Sequence, residues 1–487
     1  MLSDAPRQRR NLTGFLPVLL CLMGLPILMS PDRSHADTHR QFRAGAAKSN
    51  ITPPLGLSIA GGMHDWKGNK IHDELWVRCL VLDDGENRLA VALCDSCMIP
   101  REILDQAKSV AQERTGLPPD CMMFASTHSH SAPTAAKVFQ SSPDPWYLEF
   151  LTQRIADTVQ RAVQNLALAK IGWGSVDEPS QVFNRRWKMK PGTIPPDPFG
   201  NTSDRVKMNP PRASEDLIEP AGPIDPEISV VSVQTPDGRP VAVLANYSLH
   251  YVGGTGETVS ADYFGFFADR IQELLGADRL DPEFVGILSN GTSGNINNIN
   301  FREEGTSQPA FEQIRHVANI VAERAHEAIQ QVEYRDWVPL SAEQTKIELG
   351  VRRPESGEVA LAREVMAKAK HPYMDTLEEI YALETVALSE YPEKVPVILQ
   401  AFRIGDLAIT AVPCEVFAEI GLELKSKSPF GDTFTIELAN GYNGYLPTPE
   451  QHRLGGYETW RAKSSYLEVG ASPQVVDTLM GLLAKLQ

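Results

Sequence analysis

Five polar clusters in this chain sit where an apolar run gives out or in a polar loop, the places where a scaffold tends to present working side chains. The first is Ser126-Thr127-His128-Ser129-His130-Ser131, at the end of the apolar run CMMFA. Imidazoles at i and i+2 on an extended segment point to the same side. His128 and His130 therefore suit a metal ion or a base beside a ligand, with a structural role open for either. His250 ends the apolar run VAVLANYSLH in the same manner. Glu415, in AVPCEVF, stands before the helical pattern FAEIGLELK and could hold a cation or merely favour the helix dipole. A Gly/Asn loop, SNGTSGNINNIN, follows the apolar run PEFVGIL, and its GTSG is not the G-x-S-x-G nucleophile elbow. The last cluster is tyrosine-rich, NGYNGYLPTPEQHRLGGYE at 440–458.

The chain between these clusters alternates strand and helix patterns. LWVRCLVLDDGENRLAVALCD predicts a hairpin about Asp83-Asp84-Gly85, and ISVVSVQTPDGRPVAVLANYSLH another about Pro236-Asp237-Gly238. REILDQAKSVAQERTG has helical periodicity closed by Gly116, and further helices are expected over 146–168, over SADYFGFFADRIQELLG with Ser260 as N-cap, over 309–332, and as a pair within 356–392. VPVILQAFRIGDLAITAVPCEVFAEIGLELKSKS reads as hairpin, loop, helix. The stretch 190–226, rich in Pro and polar residues, is expected to be one long loop, either a lid or binding loop or a solvated, partly disordered excursion. The sum is an α/β fold: a mixed sheet with surrounding helices and β-hairpins, in one large domain, with no internal repeat.

At the N-terminus, Arg7, Arg9 and Arg10 precede the apolar run Gly14 to Met29, followed by Ser34-His35-Ala36. That is the layout of a secretory signal peptide, so residues 1–36 are expected to be removed near Ala36 and the rest exported, periplasmic or extracellular. The run is shorter than the 18 or so residues a spanning helix needs, which weighs against a membrane anchor. A net charge of −16 advertises no basic face for nucleic acid. Cys21 leaves with the leader, and the five cysteines that remain include Cys94 and Cys97, structural thiols or one short disulfide, with no second CxxC to complete a Cys-rich zinc site.

Taken in order, THSHSAP at 127–133, NYSLH at 246–250, PCE at 413–415 and the tyrosine-rich segment at 440–458 resemble the motifs of the neutral/alkaline, non-lysosomal ceramidases, over the chain from about Phe42 onward. The resemblance implies an N-terminal catalytic domain over 37–487 that holds one Zn2+ through His128, His250, Glu415 and Tyr445. It makes His130 a second active-site histidine, Tyr457 a tyrosine assisting at the metal, and Arg185, in FNRRW, an arginine facing the site. Two imidazoles and a carboxylate are ordinary ligands of a catalytic zinc.

Two departures bear on function. Asn297, in Gly294-Asn295-Ile296-Asn297-Asn298, stands where that family has a serine; its amide could orient water or hold an oxyanion but cannot act as such a nucleophile. The chain also stops about 30 residues after Tyr457, so no C-terminal β-sandwich domain is expected. The expectation is an exported zinc-dependent hydrolase of a linear N-acyl amide, lipid-like or small. Peripheral membrane contact to reach the substrate is allowed, and neither an obligate protein partner nor a nucleic acid is expected. The alternatives are a silent zinc-holding binding protein and a hydrolase of esters or small non-lipid amides.

Overall fold

Runs such as LAVALC and VAVLANY are apolar at nearly every position, which fits strands buried on both faces. In the structure, a computed structural model describing residues 40–371 and 373–487, such runs build three sheets around one core. The expected signal peptide, 1–36, lies outside the described residues.

The first sheet has the order β4-β3-β2-β1-β5, with β1 Arg43–Asn50, β2 Trp76–Asp83, β3 Arg88–Cys94, β4 Met122–Ser126 and β5 Ala167–Leu168. Helices α1 (Arg101–Thr115) and α2 (Pro145–Gln164) cover its outer face. The second has the order β9-β8-β7-β6, with β6 Lys170–Asp177, β7 Glu227–Gln234, β8 Pro240–Tyr247 and β9 Val285–Asn290. It is covered by α3 (Asp262–Leu274) and α4 (Glu312–Gln330). The third has the order β10-β11-β12-β14, with β10 Leu340–Gly350, β11 Lys394–Ile404, β12 Leu407–Val412 and β14 Asp432–Glu437. A helix pair, α5 (Ser356–Lys368) and α6 (Leu377–Ser389), lies between β10 and β11, and the short strand β13 (Glu415–Val416) between β12 and α7 (Ala418–Lys427). Beyond β14 come β15 (Tyr445–Leu446), α8 (Pro449–Leu454) and α9 (Ala471–Leu486), and α7 and α9 cover the third sheet.

One succession occurs three times: an antiparallel hairpin, a helix, then a strand parallel to the hairpin's second arm. It is β2-β3-α1-β4, β7-β8-α3-β9 and β11-β12-α7-β14. The sequence carries no repeat, so the repetition lies in topology alone. Inward-facing residues of all three sheets, among them Leu93, Leu244 and Phe402, share the central core. Burial of that apolar area is the main favourable term for such a fold. Crevices at the carboxyl ends of strands are where α/β sheets present ligand sites.

The expected hairpins form, and the helices lie within a few residues of their expected bounds. Asp144 caps α2 by accepting from the Trp146 and Tyr147 amides ahead of Pro145, and Thr376 with Glu379 closes a capping box on α6. Helix α3 starts one residue later than expected, with Ala261 at the N-cap, although the Ser260 hydroxyl still accepts from the Asp262 amide. The segment 190–226 differs from a plain loop: Val206–Met208 and Leu217–Pro220 flank Arg186–Met189 in a three-stranded sheet. All five cysteines of the described residues are free thiols, so no Cys94–Cys97 disulfide forms. Among the described residues no helix is long and apolar enough to cross a membrane.

Candidate metal centre and active site

Three of the strand ends each deliver one side chain to a common point. His128 follows β4, and His250 and Glu415 each lie three residues past the end of β8 and β12. His128 Nε2 is 3.0 Å from His250 Nε2 and 3.4 Å from Glu415 Oε2, and His250 Nε2 is 3.8 Å from the same oxygen. All three side chains are buried.

The protons on the rings follow from their other contacts. His128 Nδ1 is 2.8 Å from the Cys97 carbonyl and His250 Nδ1 is 3.0 Å from the Ser293 carbonyl. A carbonyl can only accept, so each Nδ1 donates, and in the neutral ring each Nε2 presents a lone pair. Two lone pairs thus face each other and a carboxylate oxygen, and Glu415 Oε2 is buried with no hydrogen-bond partner. Such an orphan is costly unless satisfied. A cation in the middle resolves all three at once, and carbonyl partners on the far nitrogens are how metal-bound histidines are held. The donor set fits zinc.

Without a metal, the same convergence shifts protons. Burial opposes charge on His128, yet the adjacent Cys97 sulfur and Glu415 carboxylate raise its pKa well above the ordinary imidazole value. Burial also pushes the Cys97 thiol up and keeps it neutral, so the Glu415 carboxylate is the charge that acts. Glu415 responds in the opposite sense: burial would raise it, but His128, Arg185 and Tyr445 hold it below the usual carboxylate value. Burial, with His128 and Arg185 adding to it, lowers His130 and His250 well below ordinary histidine.

The histidines do not meet by strand alternation. Strand β4 ends at Ser126, and His128 sits in the left-handed region with φ of 77°, a strained conformation for a residue with a Cβ. The rings of His128 and His130 are then nearly perpendicular, at 84°, with Nε2 atoms 3.2 Å apart. His130 stacks on Tyr251 at 3.7 Å. Its other side lies against Gly61, where any Cβ would stand 2.2 Å from His130 Nδ1.

Tyr445 pairs with Glu415 across the parallel β13–β15 ladder. Its hydroxyl accepts from Arg185 Nη2 at 3.0 Å, and Arg185 also donates to the Gly294 carbonyl and, through Nε, to Glu458. Arg185 therefore braces Tyr445 from behind. Tyr457 lines the cleft with its ring 6.0 Å from that of Tyr445. Asn297 is not part of this group: its Nδ2 donates to Asn209 Oδ1 and its Oδ1 accepts from the Ile299 amide, and it does not line the cleft.

Three contributors were not singled out from sequence. Tyr442 donates to Glu415 Oε1 at 3.0 Å, which leaves Oε2 to face the imidazoles. Glu437, at the end of β14, accepts from the Ser293 hydroxyl at 2.6 Å and the Val416 amide at 2.7 Å, and burial pushes its carboxyl up to about 8. It fixes the Ser293 loop whose carbonyl holds His250. Gly294 lets that loop approach Glu415, because a Cβ there would lie 2.6 Å from the Glu415 carbonyl oxygen. Only the NGYNGY spacing offered a signal, for Tyr442; Glu437 sits in an ordinary strand pattern.

The cleft over this centre encloses about 30 Å3 and is lined by His128, His130, Glu415, Tyr442, Tyr445 and Tyr457, together with Val138 and Phe139. No family model matches the sequence, and no curated protein matches it either. Solved structures do match in fold. The neutral ceramidase from Pseudomonas aeruginosa aligns with a TM-score of 0.71 at 16% identity, over 92% of this chain and 74% of that one. A ceramidase complexed with C2 aligns with a TM-score of 0.70 at 16% identity, over 92% and 75%. The mixed α/β fold of this protein is ceramidase-like.

Proposed function

We propose that this protein is a zinc-dependent hydrolase of linear amide bonds, acting on an N-acyl amide. The observation that carries the reading is the convergence of two imidazole lone pairs and an orphaned carboxylate oxygen in a buried site that opens on a cleft. The ceramidase-like fold supports it.

His128, His250 and Glu415 would hold the ion, with Tyr445 beside them. A zinc ion bound there supplies a lowered water pKa and polarisation of the scissile carbonyl. Around it the chain's own groups have clear tasks. His130, kept neutral by burial, can take a proton from water and deliver it to the departing amine nitrogen. Tyr457, whose phenol burial keeps protonated, can donate to the developing oxyanion. Arg185 holds Tyr445 in place. Water adds to the carbonyl carbon, the C–N bond breaks, and an acid and an amine leave.

The test is metal content and turnover of an amide panel by purified protein with and without chelator. About one zinc per chain, and activity lost on chelation and restored by zinc, is the expected result; an active protein that holds no zinc would overturn the reading. Export belongs to the same proposal. N-terminal sequencing of protein from its native host should begin near Asp37, and a start at Met1 in the cytoplasm would contradict it.

A further inference from the structure

One wall of the cleft is built around a strained residue. Phe139 lines the cleft, is 6% exposed, and has φ of 50°. For a bulky side chain that conformation is strained and persists only where the surroundings over-determine it. They do so here. The next residue, Gln140, donates its amide to the Met63 and Met374 carbonyls and accepts from the Met374 amide, and the Ser141 hydroxyl donates back to the Val138 carbonyl. The loop is clamped on the far side so that the Phe139 ring stands against the cleft.

Behind Phe139 stands a second ring. Tyr381, on α6, is 6.2 Å from it, centroid to centroid, and fully buried with its hydroxyl unpartnered. The opposite side of Tyr381 meets Phe199 at 5.8 Å. Phe199 in turn lines a separate groove of about 670 Å3 between the 196–201 segment and helices α5 and α6, together with Leu361 and Ala382. Two stacked barriers, Phe139 and Tyr381, thus separate a small catalytic cleft from a large, partly apolar groove.

We infer that Phe139 is a specificity wall that limits the substrate to amides with a short, compact apolar arm on the side facing it. The inference rests on the amide-hydrolase reading of the metal centre and narrows its substrate class. Ligand sites commonly run from about 300 to 1,000 Å3, whereas only about 30 Å3 of this cleft is enclosed space, so an arm on the side of Phe139 has little room. An arm that reached Phe139 would stop there, because the ring is braced by Tyr381 and the backbone beneath it is clamped.

The test uses the zinc-loaded protein and two graded series of metal-chelating hydroxamic acids, read by calorimetry. One series lengthens the acyl chain from acetyl to palmitoyl; the other lengthens an N-alkyl group on acetohydroxamate. In wild type, affinity in the series whose arm faces Phe139 should stop rising after a few carbons. In Phe139→Ala it should continue to rise, by about fourfold for each further buried methylene, and Phe139→Leu should show a smaller extension in the same direction, which keeps the test alive if the alanine variant folds poorly. Affinity that climbs to the longest chains in both series of the wild type, or an unchanged profile in folded, zinc-bound variants, overturns the wall. A protein that takes up neither zinc nor acetohydroxamate overturns the amide-hydrolase reading itself, and the wall with it.

Discussion

At the residue scale, the centre depends on atoms that have no other partner. Glu415 Oε2 is orphaned because Tyr442 engages Oε1, so the two oxygens have separate tasks. Glu415→Gln removes the charged member of the proposed ligand set and should abolish zinc retention during gel filtration. Tyr442→Phe removes only the hydrogen bond that orients the carboxylate, and such partners are typically worth about 10- to 100-fold in metal affinity. Competition against a chromophoric chelator should find that loss, and wild-type affinity in Tyr442→Phe would remove the positioning role. Asn297→Ala should behave differently from both. Its amide links Asn209 to Ile299, so the variant should lose about 1–3 kcal/mol of stability in urea while keeping its zinc; a variant of wild-type stability that had lost turnover would return Asn297 to the active site. The contrast reflects what one chain can reveal. His128, His250 and Glu415 stand at or just past the ends of apolar runs, where residue type and context agree, while Tyr445, in a polar segment, was marked only by the family resemblance. Tyr442, Gly61 and Glu437 matter through partners that the sequence places far away: Glu437, for instance, meets Ser293 across 144 positions. No local pattern encodes such a contact.

At the element scale, local patterns carried further. Continuous apolar runs with their turn residues marked the hairpins, and helical periodicity placed the helices to within a few residues, because these are decided locally; the Asp144 cap of α2 was not foreseen, and the expected Ser260 cap lies one residue early. The arrangement of three sheets around one core was not readable, since each unit buries its inner face only against the other two. The small strands inside 190–226 were missed for a related reason: at three and four residues, they exist only through pairing with Arg186–Met189. One helix carries a testable mark of this packing. Lys108 on α1 is buried, donates to Asn440 Oδ1 at 2.8 Å, and is lowered by burial to about 8 from 10.5. Between those values the unfolded chain holds a proton that the folded protein has released, so folding stability from this site rises with pH across that window. Urea midpoints of wild type and Lys108→Met, measured side by side from pH 7 to 10.5, should therefore shift relative to one another in favour of wild type as pH climbs, with the change beginning near 8. A constant difference across the range would mean that Lys108 reaches water.

At the scale of the whole molecule, the proposed metal centre ties together the ends of all three sheets: His128 comes from the first, His250 from the second and Glu415 from the third. A ligand that binds the folded chain and not the unfolded one stabilises it by mass action, by about 4 kcal/mol at a thousandfold excess over Kd. Because no single sheet owns the site, zinc should raise the midpoint of one cooperative transition and should not merely protect a loop. The effect must also depend on pH, and its sign can be worked out. In the metal-free protein the raised pKa of His128 means that it carries a proton, while lowered values keep His130 and His250 neutral. Zinc requires an unprotonated Nε2, so binding expels the His128 proton, and each unit of acidification below its folded pKa weakens zinc about tenfold. The zinc-induced rise in melting temperature should therefore be larger at pH 8 than at pH 6, and calorimetric titrations in buffers of different ionisation enthalpy should count about one proton released per zinc. His128→Ala should abolish both the zinc-induced rise and the proton release. If zinc binds wild type without releasing a proton, the upward shift of His128 by Glu415 fails, because the ring would then already be free of charge before the metal arrives.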